Sequence, residues 1–136
     1  MKEPLISILI VTWNNGKDIE ACIRSFMNSA FTNINITVVD SASTDNTTEI
    51  IKKKFLQVNI IALKENKYYT GALNIGMKNI QEKYSPEYIL FLNADTTAEP
   101  GMLQELVDTA EDFRKKNGEN LLAVGPKVKY MARKNK

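Results

Sequence analysis

Three apolar runs in this chain stop abruptly at a polar cluster that carries Asn or Asp, and helical periods separate them. Leu5 to Val11 runs into Thr12-Trp13-Asn14-Asn15-Gly16. Ile34 to Val39 runs into Asp40-Ser41-Ala42-Ser43-Thr44-Asp45, and Tyr88 to Leu92 into Asn93-Ala94-Asp95. Read as parallel strands of one sheet, the runs bring their carboxyl ends side by side, where open α/β sheets bind their ligands. Two acidic loops converging on one crevice point to a bound metal and a polar ligand.

The intervening segments supply the helices. Ile19, Cys22, Ile23, Phe26, Met27 and Ala30 follow helical spacing and form a one-sided amphipathic helix. Ser43 or Thr44 is placed to cap a second helix, with Asp45 in its first turn and Ile50, Ile51 and Phe55 on its buried face. Val58 to Leu63 reads as a third strand. Leu73, Met77 and Ile80 mark a third helix, with Gly76 on or beside its packing face. A fourth helix opens near Pro100, buries Leu103, Leu106, Val107, Ala110 and Phe113, and ends at the Lys-Lys-Asn-Gly of 115–118. Leu121 to Val124, continuing past Pro126 to Tyr130, reads as one further strand. The order βαβαβαβαβ demands a mainly parallel sheet with helices on both faces and right-handed crossovers. The expected division is one domain over 1–131 and a solvated basic tail over 132–136.

Composition narrows the chemistry. At 136 residues the chain fits one domain with a modest core. Eighteen basic and sixteen acidic residues give a net charge of +2, which makes no general electrostatic case for nucleic acid or membrane. A single cysteine, Cys22, forms no intramolecular disulfide, and its apolar helical position predicts a buried structural thiol. The chain has no histidine, so His-based triads and His-ligated zinc are excluded. A metal must then be held by oxygen ligands, which points to Mg²⁺ or Mn²⁺. The first apolar stretch is short and leads straight into Asn-Asn-Gly, unlike a signal peptide, and no stretch approaches transmembrane length. The expected location is the cytoplasm, peripheral at the inner face of the membrane.

Each polar cluster has a functional reading and a structural one. Asp95, set directly after a buried strand with Asn93 two positions earlier, suits a metal ligand; alternatively Asp95 or Thr96 caps the next helix. Its placement beside Asp40 favours the metal. Asp40 can accept a hydrogen bond from a nucleobase N–H or from ribose hydroxyls, while Ser41, Ser43 and Asp45 around it also serve helix capping. Thr12-Trp13-Asn14-Asn15-Gly16 either lies against a planar base or forms a turn with Trp13 in the core. Asn66 to Gly76 joins the third strand to its helix, where Gly71 permits close backbone approach and helix amides suit a phosphate. No G-x-G-x-x-G and no Walker A sequence is present.

Taken together, Ser7 to Asn15, Val38 to Asp45, Asn66 to Gly76 and Leu92 to Thr96 resemble the amino-terminal half of family 2 glycosyltransferases, the inverting GT-A enzymes, and especially their rhamnosyltransferase-like members. The resemblance implies a Rossmann-like GT-A nucleotide-diphospho-sugar transferase fold, here truncated. It implies a UDP- or dTDP-linked sugar donor and an acceptor glycan or lipid-linked sugar. Thr12, Asn14, Asp40, Ser41, Asp45, Asn66, Gly71 and Asn93 form the expected substrate-binding set. Asp95 matches the last acid of the family's D-x-D metal motif, and Asn93 stands at its first position. That leaves Asp95 as the main protein anion, so metal binding is expected to depend on the donor's diphosphate. The family's catalytic base lies in the half beyond this motif, outside this chain. The alternatives are a non-catalytic nucleotide-sugar-binding module and a sugar nucleotidyltransferase. An incomplete domain leaves apolar sheet surface exposed and predicts self-association.

Overall fold

The structure, a computed structural model, describes residues 3–118 and 123–129. Strand and helix alternate through β1 (Ile6–Thr12), α1 (Ile19–Met27), β2 (Ile34–Asp40), α2 (Thr47–Lys54), β3 (Asn59–Ala62), α3 (Tyr68–Tyr84), β4 (Tyr88–Asn93) and α4 (Met102–Asn117). The strands pair in parallel in the order β3-β2-β1-β4.

β1 is the centre of the molecule, buried along its whole length. Alternation along the strand sends Ile6, Ile8 and Ile10 to one face, where they pack with Ile23 and Phe26 of α1, Ile51 of α2 and Leu103 of α4. Leu9 and Val11 face the other way, against Ala72 and Ile80 of α3. Full burial of such a side chain is worth about 1.5–3 kcal/mol. Ile8, Leu9 and Ile10, each 0% exposed, therefore anchor both layers from one strand.

Direction of travel explains the two layers. The chain steps from β1 to β2 to β3 one way across the sheet, so right-handed crossovers put α1 and α2 on the same face. From β3 it returns past β2 and β1 to β4, and the same handedness puts α3 on the opposite face. There α3 lies close to the sheet: a Cβ on Gly76 would meet Leu9 Cδ1 at 2.4 Å.

Several expectations change. Residues 123–129 form no strand, and 121, 122, 130 and the tail 132–136 lie outside the described residues. Pro126 has no N–H to contribute to a ladder. β4 is thus an edge among the described strands, with Phe91 42% exposed. α1 ends at Met27, leaving Ala30 outside it, where its N–H donates to the Pro100 carbonyl at 2.9 Å.

The second helix starts later than Ser43 or Thr44. Its N-cap is Asn46, because Asn14 Oδ1 already accepts the amides of Thr44 (2.8 Å) and Asp45 (3.3 Å). α3 starts earlier than its apolar spacing suggested, at Tyr68, and buries Ala72, Gly76 and Ile80 while Leu73 and Met77 are half-buried. Phe113 is 42% exposed rather than core. The last turns of α4 seat Glu111 and Arg114 on Tyr88, which turns Phe113 off the sheet. Finally, β1 separates Asp40 from Asp95, so the two acids are not on adjacent strands.

Candidate functional site

The strand order reverses between β1 and β4, and such a switch point opens a crevice at the carboxyl ends of the strands. A cleft of about 390 Å³ lies there. Val11, Thr12, Trp13 and Asn15 line it from the end of β1, Ser41 from β2, Asn66, Tyr68 and Tyr69 from the start of α3, and Asn93 and Asp95 from β4.

Side chains of the loops tie the first three strand ends together. The Ser41 amide donates to the Thr12 carbonyl at 2.9 Å. Its hydroxyl donates to Asn66 Oδ1 at 3.0 Å and accepts the Lys67 N–H at 2.8 Å. Asn66 Oδ1 also accepts the Tyr68 N–H at 2.7 Å, and the Thr12 hydroxyl donates to Asn15 Oδ1 at 3.1 Å. Asn14 donates its N–H to Ser43 Oγ at 2.8 Å while its side chain takes the amides of the β2–α2 loop. Three non-glycine residues hold left-handed backbone at these turns: Asn14 (φ 53°), Ala42 (φ 63°) and Tyr68 (φ 56°). Such conformations cost on the order of 1 kcal/mol each and persist where surrounding structure enforces them.

Two predicted acids belong to this framework and not to the cleft wall. Asp40 is 2% exposed, its Oδ1 accepting the Ser43 hydroxyl at 2.5 Å and its Oδ2 the Ser43 N–H at 3.0 Å. Asp45 Oδ2 accepts the Gly16 N–H and Oδ1 the Thr47 N–H, both at 3.0 Å. Desolvation raises the Asp45 pKa, but the Thr47 hydroxyl and the two amides outweigh it and hold the carboxyl below its usual range. Asn14 likewise braces the loops. Gly71 sits in the second turn of α3, away from the lining, with its Cβ position 3.0 Å from Lys67 Cβ. Lys67 pairs with Glu65.

At the end of β4, Asn93 and Asp95 are exposed and Ala94 between them is 1% exposed. Both therefore present to the cleft while Ala94 anchors the turn. Asp95 takes no hydrogen bond or ion pair from the described residues. Behind the turn Cys22 Sγ donates to the Asn93 carbonyl at 3.9 Å. Burial, reinforced by the Asp95 charge, pushes the Cys22 thiol up to about 12. One carboxylate and one amide oxygen form an all-oxygen donor pair, which fits Mg²⁺ or Mn²⁺ completed by water and phosphate oxygens. Among the described residues no group of three or more His, Cys, Asp or Glu gathers, so the pair fits an ion that arrives with a diphosphate.

The cleft brings together Thr12, Ser41, Asn66, Asn93 and Asp95 of the predicted set. It adds Asn15, Tyr68 and Tyr69, which sequence reasoning passed over, and places Trp13, 54% exposed, on the wall and not in the core. The signal for the tyrosines was an aromatic pair directly after Asn66-Lys67 that matches no helical packing period.

Known proteins share this architecture. The family model for glycosyl transferase family 2 matches residues 7–117. An uncharacterized glycosyltransferase of Haemophilus influenzae is 31% identical over 111 residues, 79% of this chain and 33% of that protein. The Escherichia coli UDP-Glc:alpha-D-GlcNAc-diphosphoundecaprenol beta-1,3-glucosyltransferase WfaP is 36% identical over 93 residues, 67% of this chain and 35% of that protein. Staphylococcus aureus TarS in complex with UDP superposes with a TM-score of 0.71 at 23% identity, over 81% of this chain and 33% of that one. The Pyrobaculum calidifontis mannosyltransferase PcManGT, in complex with GDP-Man and Mn²⁺, gives 0.67 at 20% identity, over 78% and 32%. These structural likenesses carry the fold, which is the GT-A architecture that the sequence resemblance implied. The chain spans about a third of the length of the curated relatives it matches. With the match running from inside β1 to the end of α4, the chain belongs to glycosyl transferase family 2.

Proposed function

We propose that this chain is the donor half of a glycosyltransferase that moves a sugar, with inversion, from a nucleotide-diphosphate donor to an acceptor hydroxyl. The observation that carries this reading is the switch-point cleft with Asp95 and Asn93 presented to it. Thr12, Ser41 and Asn66 shape the wall for the nucleotide, and Asp40, Asn14 and Asp45 hold those loops in place. Asn93 and Asp95 would hold a divalent ion, which would neutralise charge on the leaving diphosphate. In the complete enzyme a carboxylate base beyond this chain takes the acceptor hydroxyl's proton. The oxygen then bonds to the anomeric carbon from the opposite face as the carbon–phosphate oxygen bond breaks and the nucleoside diphosphate departs.

The relatives support the substrate classes. TarS is seen with UDP and with UDP-GlcNAc, and WfaP is named for a UDP-glucose donor and a diphosphoundecaprenol-linked acceptor. Our reading takes a UDP- or dTDP-linked sugar as donor and a lipid-linked sugar as acceptor, with the protein working in the cytoplasm at the inner face of the membrane. Self-association over apolar sheet surface, with β4 an edge among the described strands, belongs to the same reading.

Calorimetric titration of UDP, dTDP and GDP, with and without Mn²⁺, into the wild-type chain, Asp95→Ala and Asp40→Ala tests it. Metal-dependent binding that disappears in Asp95→Ala supports the donor site. A folded wild-type chain that binds none of the three refutes it.

A further inference from the structure

Tyr68 is built against its own backbone preference. It holds φ 56° at the first residue of α3, where a side chain is strained and glycine is not. Its ring contributes nothing visible in return, being 79% exposed. Its hydroxyl joins no hydrogen bond among the described residues, and its one structural duty, the N–H donated to Asn66 Oδ1 at 2.7 Å, is one that glycine performs equally well. A residue that is costly in the fold and idle in it has a role elsewhere, and this ring lines the cleft.

Trp13, 54% exposed, lines the same cleft from the end of β1. Tyr68 stands at the start of α3, which follows β3, while Asn93 and Asp95 rise from β4 at the other edge of the described sheet, and Trp13 follows β1, the neighbour of β4. The lining thus runs from the Tyr68 ring on one side to oxygen ligands on the other. A nucleoside diphosphate has the same polarity, a planar base joined to an anion. We propose that Tyr68 stacks on the base of the bound nucleoside diphosphate. This inference rests on the donor-site reading above and assigns within it a residue outside the expected substrate-binding set.

The test uses opposite signs in two readouts. Tyr68→Gly removes strain and ring together, so its Tm rises by about 2–4 °C while its affinity for the nucleoside diphosphate that binds wild type falls about tenfold, the scale of one base–aromatic stack. Its affinity for Mn²⁺-pyrophosphate, which has no base, stays at the wild-type value. Ser85→Gly relieves a comparable strain (φ 46°) at the far end of α3 and controls for stability, raising Tm without touching either affinity. Unchanged nucleotide affinity in Tyr68→Gly overturns the proposal, as does an equal loss for pyrophosphate. A fall in Tm overturns the strain argument on which it stands. A wild-type chain that binds no nucleoside diphosphate fails one step earlier and overturns the donor reading itself.

Discussion

Replacing Gly76 by alanine sets two effects of opposite sign against each other. Within a helix, alanine is favoured over glycine by about 1 kcal/mol. The new Cβ, however, would stand 2.4 Å from Leu9 Cδ1, 3.0 Å from Leu9 Cδ2 and 2.9 Å from Val39 Cγ2. Comfortable carbon contacts are about 3.5–4.0 Å, so α3 must lift by about 1 Å or Leu9 must leave its rotamer. Leu9 and Val39 are each 0% exposed and have no room to swing aside. Overpacking of this kind costs about 1–3 kcal/mol, and three simultaneous contacts place it at the upper end. Packing therefore wins, with a net loss of about 1–2 kcal/mol and a Tm lowered by about 2–8 °C. Thermal and urea unfolding followed by circular dichroism measure it. A Gly76→Ala chain as stable as wild type, or more so, would refute the claim that glycine is there for close approach. Leu9→Ala offers an internal check: it makes the space that the added methyl group fills, so the double variant is more stable than the sum of the singles by over about 0.5 kcal/mol. A lifted α3 also carries Asn66 and Tyr68 away from the cleft, so donor affinity falls with stability.

Two further outcomes follow from the titrating groups. Asp45 has a depressed folded pKa, so its contribution is present above about pH 4 and is lost as pH falls through the folded value. Asp45→Asn lowers stability at neutral pH and flattens the decline on the acid side; urea midpoints from pH 2 to 7 that run parallel to wild type contradict this. The Cys22 thiol, raised to about 12 by burial and by the charges of Asp95 and Asp18, is inert to alkylation at pH 8 in the native state and reacts on unfolding. Stoichiometric labelling within minutes in native buffer would show that the α1 packing is wrong.

Much of the architecture was legible before the structure because its signals are local. Ile19, Cys22, Ile23 and Phe26 repeat at helical spacing and all four are buried. The first four strand runs and the polar clusters at their ends fall where expected, to within a residue or two, whereas residues 123–129 of the fifth form no strand. Errors arose where a distant group competed for a local one. The start of α2 moved because a side chain 30 residues away, Asn14, took the Thr44 amide. Phe113 left the core because Tyr88, on another strand, engaged its helix neighbours Glu111 and Arg114.

The site divides along the same line. That Asn93, Asp95, Thr12, Ser41 and Asn66 would gather at strand ends followed from the βα alternation, since parallel strands joined by right-handed crossovers must end on one side. Which of the acids face the cleft did not. Asp40 and Asp95 look alike in sequence, each polar after an apolar strand, yet Ser43 occupies both oxygens of one and the cleft receives the other. The alternation of apolar and polar segments determines the order of elements and the edge of the sheet that carries chemistry. Tertiary structure decides the strand order that parts Asp40 from Asp95, the hydrogen bonds that turn Asn14 and Asp45 into braces, and the strained turn that lifts Tyr68 onto the wall. Those depend on groups far apart in the chain, and only the folded backbone brings them within bonding distance.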